Sequence, residues 1–177
     1  MQNTPEGVRL AGRQQSDFVE LDVRKSPGGG FHCAHGWDSR SELKHCLREL
    51  GEAMELIAHL KGRYEDADLL QLVEEMARHI PLDRVIFAAH RTDTLRQLGA
   101  LMPKVRLARF GLFPAIVALW RKQLWKCCMI NHAVLMKWHV QALQWRGYTV
   151  FASCVWELRS RRSVQQLGVD GAFINLY

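Results

Sequence analysis

Glu20 and Asp22 stand two positions apart in the run FVELDV, residues 18–23, where the pattern predicts a β-strand. In a strand, residues i and i+2 share a face, so both carboxylates point one way and Val19, Leu21 and Val23 the other. Two carboxylates side by side repel unless a cation lies between them. Paired acid oxygens are also what a hard divalent ion such as Mg²⁺ or Ca²⁺ takes as ligands. Spacing alone leaves a second reading open: a half-exposed edge strand whose acids face water. A second pair, His59 and Lys61, has the same i, i+2 relation in ELIAHLK, residues 55–61, so these side chains also share a face. Imidazole is a good ligand for Zn²⁺ or Mn²⁺ and a poor one for Mg²⁺ or Ca²⁺. His32 and His35 are three apart and face opposite ways in a strand, so they make no metal pair. His90, His132 and His139 are single histidines in apolar runs. His90 and His132 fall near strand ends, yet each reads more simply as a packed or solvated histidine than as a catalytic one.

Elements that could position these residues alternate along the chain. Strands are expected at Asp17–Arg24, Phe31–Gly36, Glu55–Lys61, Arg84–His90, Val105–Arg109, Cys128–Asn131, Thr149–Val155 and Ala172–Leu176. Helices are expected at Ser39–Met54, Glu65–Ile80, Thr92–Met102, Pro114–Trp125, Val134–Arg146 and Leu158–Leu167. In Glu65–Ile80 the apolar residues Leu69, Leu72, Val73, Met76 and Ile80 recur at helical spacing. Pro114 is expected to open its helix, where proline is tolerated. Gly147 after Arg146 is a helix stop. Gly28–Gly30 reads as a turn. Strand then helix, repeated, predicts parallel strands with right-handed crossovers, as a closed β/α barrel or an open doubly wound sheet. No glycine-rich phosphate loop follows the first strand, which weighs against a dinucleotide fold.

Composition bounds the function classes. The chain has 177 residues, a net charge of +6 and 48% hydrophobic residues, as expected for one globular domain. The mild basicity suits an anionic ligand, but no nucleic-acid motif or basic–aromatic stripe supports a nucleic-acid partner. The cluster Arg159, Arg161 and Arg162 reads as a solvated helix face. Five cysteines at irregular spacing, without C-x-x-C, read as free thiols of a reducing compartment. The polar N-terminus lacks a secretory h-region. The longest apolar run, Phe110–Trp120, holds a proline and is shorter than the ~20 residues a bilayer span needs. These readings predict a cytoplasmic protein with no transmembrane segment.

The string VELDVRKSPGGGFHCAHG, residues 19–36, resembles the start of the glycerophosphodiester phosphodiesterase family: an E-L-D-V strand, a turn, and a strand ending in His-Asp. LIAHLKGRYED (56–66) is similar to the family's I-E-L-K strand. DRVIFAAHRTDTLRQL (83–98) is similar to its R-V-x-I-S-S-F segment. The run from Ile130 to Trp156 follows its helix–glycine–W-T-V-N pattern, with Ser153 at the tryptophan position. GVDGAFINLY (168–177) resembles the closing G-V-D-G-I-I-T-D. The ordered series spans residues 17 to 177. Departures are Gly36 and Asn175 where the family has Asp, His59 where it has the Glu of E-L-K, and no H-R-G strand and helix ahead of Asp17.

The resemblance implies a (β/α)8 TIM-type barrel, abbreviated at its N-terminus, over residues 17–177, with residues 1–16 a polar segment. A full barrel takes about 250 residues, which also points to abbreviation. It implies metal-dependent hydrolysis of a small glycerophosphodiester to glycerol 3-phosphate and an alcohol. Glu20, Asp22 and His59 take the metal-ligand positions. His35 maps onto an acid/base and Lys61 onto a phosphate-binding lysine. The ion is Mg²⁺ or Ca²⁺ by resemblance, with Zn²⁺ or Mn²⁺ admitted by His59. The alternative is a catalytically degenerate relative that binds a phosphodiester or a partner.

Overall fold

The computed structural model describes residues 2–35, 41–155 and 158–174. The expected Gly36 and Asn175 positions lie outside these residues. Among the described residues there are nine strands: β1 Phe18–Lys25, β2 Phe31–Cys33, β3 Ser41–Glu42, β4 Glu55–Leu60, β5 Val85–Ala89, β6 Arg106–Phe110, β7 Cys127–Asn131, β8 Thr149–Val155 and β9 Gly171–Ile174. Seven helices join them: α1 Pro5–Arg13, α2 Leu43–Leu47, α3 Asp66–Ala77, α4 Thr92–Leu101, α5 Leu112–Trp120, α6 Lys137–Trp145 and α7 Leu158–Leu167.

All nine strands form one sheet in the order β3-β2-β1-β4-β5-β6-β7-β8-β9. From β1 through β4 to β9 every neighbour is parallel, as strand–helix alternation predicts. β2 and β3 are an antiparallel excursion that returns on the glycine turn and pairs with β1 at Val23–Lys25. The sheet curls. Phe18 of β1 lies edge-on to Phe151 of β8 at 5.2 Å and to Phe173 of β9 at 5.4 Å, although β1 and β9 are far apart in strand order. Among the described residues no ladder joins β1 to β9, so the curled sheet holds seven parallel strands and stays open along that seam. Gly171 lets the seam close this far: a Cβ there would sit 2.7 Å from the Phe151 ring and 3.0 Å from the Phe18 ring.

Strand parity sorts the core into two layers. Leu21, Val23, Leu56, Ala58, Leu60 and Phe87 face the helices and are buried with Leu69, Leu72 and Met76 of α3. Ile57, Ile86, Ala88, Ala108, Met129 and Phe151 face the inside of the curl. Removing the helix-facing layer from water supplies the larger share of the hydrophobic stabilisation, which scales with buried apolar area.

Local departures from expectation have local causes. The helix expected over Ser39–Met54 shrinks to Leu43–Leu47, because Glu49 and Leu50 already bond three residues back in tight turns. α5 begins at Leu112, so Pro114 sits within its first turn rather than at its start. That turn needs no internal N–H partner, and proline costs nothing there. Gly111 caps it at φ 108°, a backbone that side chains disfavour. Gly147 (φ 77°) ends α6 as expected. Residues 5–13 of the polar N-terminal segment form α1, capped by Thr4 Oγ1, which accepts from Gly7 N–H at 3.2 Å, and anchored by buried Val8 and Ala11.

Candidate active site

The inward parity that buries Ile57 carries His59 and then Lys61 to the upper end of β4, and on β1 it carries Glu20 and Asp22 alongside them. The parallel register pairs Asp22 with His59 and Glu20 with Ile57. On β5 the same parity runs Ile86, Ala88, His90. Glu20, Asp22, His59, Lys61 and His90 line one cavity of about 780 Å³ at the carboxyl ends of the strands. The cavity extends down the seam between β1 and β9 and is closed on that side by residues 2–14.

Asp22 is the hub. Its carboxylate Oδ1 accepts from Lys61 Nζ at 2.9 Å and lies 3.1 Å from His59 Nδ1. Its Oδ2 lies 2.8 Å from His35 Nδ1 and accepts from Asn3 Nδ2 at 3.2 Å. Burial raises the pKa of this carboxyl, but the hydrogen bonds from His59 and Lys61, the Lys61 charge and His35 outweigh it and hold it well below the usual carboxylate range. The ionised form is thus the stable one wherever the fold is intact.

His59 is 3% exposed and its Nδ1 sits between Glu20 Oε1, at 2.9 Å, and Asp22 Oδ1. The imidazole therefore occupies the place between the two acids that repulsion demands be filled. Its Nε2 is buried without a partner among the described residues, while its ring stacks on Phe110 at 4.0 Å. A hydrogen on Nδ1, shared by the two carboxylates, leaves only a lone pair orphaned at Nε2, which is cheaper than an orphaned N–H.

Glu20, Asp22 and His59 also satisfy the needs of a divalent ion. Their donor atoms all lie within 4.8 Å of one another, two of them carboxylate oxygens and one an imidazole nitrogen. The carboxylates are the better members of the set. For His59 to ligate through Nδ1, its hydrogen must move to the orphaned Nε2.

All five residues expected at the site come together: Glu20, Asp22, His35, His59 and Lys61. His35 is the outermost, with its side chain 73% exposed at the cavity mouth. Asn3 was not anticipated, and His90 was expected only as a packed or solvated histidine. Asn3, in the left-handed region at φ 59°, accepts Asp22 N–H on Oδ1 at 2.6 Å and donates to the same residue's carboxylate. It fills the backbone position that a neighbouring strand would fill, and nothing in its polar surroundings marks it in sequence. His90 stacks on Phe110 at 4.8 Å and lies 5.1 Å from the His59 ring. Although part of it stays open to solvent, desolvation of the packed face, with the charges of His59, Lys61 and Arg109 nearby, pushes its pKa down to about 4. Its signal was present in sequence as the inward parity with Ile86 and Ala88. The other histidines stand apart: His32 Nδ1 meets Ser26 Oγ at 2.8 Å, His132 Nδ1 lies 3.3 Å from the Ser153 carbonyl, and His139 accepts the Met136 N–H at 3.1 Å.

No family model matches the sequence, and no curated protein matches it. Solved structures do match. A phosphodiesterase from Oleispira antarctica, in complex with the product sn-glycerol-3-phosphate, aligns with a TM-score of 0.84 at 19% identity, covering 97% of this chain and 86% of that one. A putative glycerophosphodiester phosphodiesterase from Galdieria sulphuraria aligns with a TM-score of 0.84 at 16% identity, covering 96% and 86%. The glycerophosphodiester phosphodiesterase of Thermotoga maritima aligns with a TM-score of 0.77 at 16% identity, covering 98% and 88%. At such identities the likeness is one of fold, and it extends over nearly the whole chain. The chain has the fold of the glycerophosphodiester phosphodiesterases.

Proposed function

We propose that this protein is a metal-dependent phosphodiester hydrolase that converts glycerophosphodiesters to glycerol 3-phosphate and an alcohol. The observation that carries the reading is the convergence of His59, Lys61 and His35 on Asp22 within one cavity, with Glu20 on the other side of His59 Nδ1. Glu20 and Asp22, with His59, would hold the divalent ion. When bound, that ion offsets phosphate charge as the P–O bond breaks. Lys61 supplies a fixed positive charge for a non-bridging phosphate oxygen. His35, aligned through Nδ1 by Asp22, keeps its other nitrogen at the mouth, where it can pass a proton to or from the reacting oxygens. Water adds its oxygen to phosphorus, and the departing alkoxide leaves as the alcohol once protonated.

The Oleispira protein holds sn-glycerol-3-phosphate, which supports the same ligand class here. The seam between β1 and β9 is, in this reading, the place of the family's first strand, and residues from Gln2 to Gln14 line the cavity on that side. The reduced thiols fit a cytoplasmic site of action. Which ion is used follows from His59: Mg²⁺ or Ca²⁺ if the carboxylates dominate, Zn²⁺ or Mn²⁺ if the imidazole ligates.

One observation favours a second reading, a degenerate relative that binds without turnover. Both Asp22 oxygens are already engaged by four protein groups, so the network is satisfied without a substrate. Release of glycerol 3-phosphate from glycerophosphocholine, with Mg²⁺, Ca²⁺, Mn²⁺ and Zn²⁺ supplied in turn, decides between them. Metal-dependent release that is absent in Glu20→Ala/Asp22→Ala establishes the hydrolase. Folded protein with no release under any metal leaves the binding reading.

A further inference from the structure

We infer that the outer face of α5 and α6 is a docking surface for an anionic lipid bilayer. α5 carries no charged residue, and its packing is inverted. The residues it buries against the sheet are the small Ala115 and Ala118, while Phe113 and Trp120 point outward, 76% and 81% exposed. With half-buried Ile116 and Val117 they make a stripe at i, i+3, i+4 and i+7. α6 packs beside α5 and repeats the pattern: Val140 and Leu143 are buried, while Trp138 and Trp145 are 55% and 84% exposed, seven residues apart. A helix facing water ordinarily exposes polar side chains; α5 instead turns its largest apolar ones outward, and α6 exposes two tryptophans although it also buries Val140 and Leu143. Contiguous exposed apolar surface of this kind marks an interaction site.

The charge around the face identifies the partner. From Thr94 to Trp156 the sequence contains no Asp or Glu, nine Lys and Arg residues, and five of the six tryptophans. Arg121 and Lys122 follow α5 directly, Lys137 opens α6 and Arg146 closes it, all exposed. The acid that α6 reaches, Asp170, is engaged by Gln144 and the Val150 N–H. Two copies of this face brought together would set like charges against each other, which disfavours a homodimer. Tryptophans flanked by Lys and Arg, with an apolar stripe between, match the headgroup region of an anionic leaflet. No helix among the described residues is long and apolar enough to cross a membrane, so the contact is interfacial. Phe113 and Trp138 start their helices just beyond Phe110 and Asn131, which line the cavity, so docking would hold the cavity mouth beside the leaflet.

The inference does not depend on turnover, and its test reads binding alone. The full chain is mixed with sedimentable phosphatidylcholine vesicles, with and without phosphatidylserine, and bound protein and tryptophan emission are recorded. Co-sedimentation with the phosphatidylserine vesicles, a blue shift, and weakening by salt are expected. Arg121→Gln/Lys122→Gln should weaken binding roughly fivefold per charge removed, and Trp120→Ala/Trp145→Ala should abolish the blue shift on the same vesicles. Because these side chains are exposed, an unchanged circular dichroism melt verifies the fold of each variant. No binding to phosphatidylserine vesicles, or binding indifferent to all four substitutions, overturns the inference. A dimer in analytical ultracentrifugation that the tryptophan substitutions dissolve overturns it too, and assigns the face to self-association.

Discussion

The floor and the mouth of the cavity lie on the same inward face of the curled sheet and share strand β1, yet they are built by opposite physics. The floor is lined by Phe18 and Phe173, which pack on Phe151 and close the seam by area and shape alone. The mouth, a few residues up β1 and β4, is a charged network in which every member depends on Asp22. The floor can be weakened without touching chemistry. The mouth cannot lose Asp22 without taking a partner from Lys61, His59 and His35 at once. The comparison teaches that stability and function are separated along the strand axis.

The largest expected effect breaks the floor. Phe151→Ala should cost about 4 kcal/mol in urea denaturation, since the ring is nearly buried and bridges β1 and β9. Residual folded protein should retain the affinity of the Glu20–Asp22–His59 group for Mn²⁺. Equal loss of stability and metal affinity would erase the distinction between the two ends.

Next comes the hub. Asp22→Asn should cost roughly 3 kcal/mol, because Lys61 and His59 lose their shared negative charge in a largely buried place. The wild-type stability should also carry an acid limb. The folded pKa of Asp22 lies below its unfolded value, so its contribution is full above about pH 4 and is lost as the pH falls further. Melts of Asp22→Asn across the same range should lack that limb; an unchanged limb would show that other carboxyls produce it.

A smaller effect comes from the close approach at Gly171. Gly171→Ala places a methyl against the rings of Phe151 and Phe18 and should cost about 1–3 kcal/mol, visible as a lower Tm. Least disturbing is a titration. The ring signals of His90 should report a neutral imidazole from pH 7 down to about 5, titrating only near 4, well below an unperturbed histidine. The sign follows from the lowered folded pKa: charging His90 opposes folding, so stability falls as the pH drops below about 6.5. Titration at the ordinary value would show that Phe110 and His59 do not desolvate it.

Much of this was readable from residue order. Strand parity alone placed Glu20 with Asp22 and His59 with Lys61, and the alternation of short β-branched runs with amphipathic ones predicted parallel strands. Thr149–Val155 and Leu158–Leu167 run as expected. What parity could not decide was company. His90 obeys the same rule as His59, but nothing local distinguishes a histidine that meets Phe110 from one that meets water. Asn3 sits in a polar segment with no period, and it reaches Asp22 across nineteen residues of sequence.

The sequence by itself determined which side chains share a face of their own element and that two acids set side by side called for either a cation or water, because these follow from the periods of strand and helix. Only the tertiary structure decided that the cation's place is taken by His59, that the curl brings β9 back to β1, and that α5 turns its large side chains outward. Each of those depends on which strands become neighbours, and contacts between residues distant in the chain are not encoded in any local period.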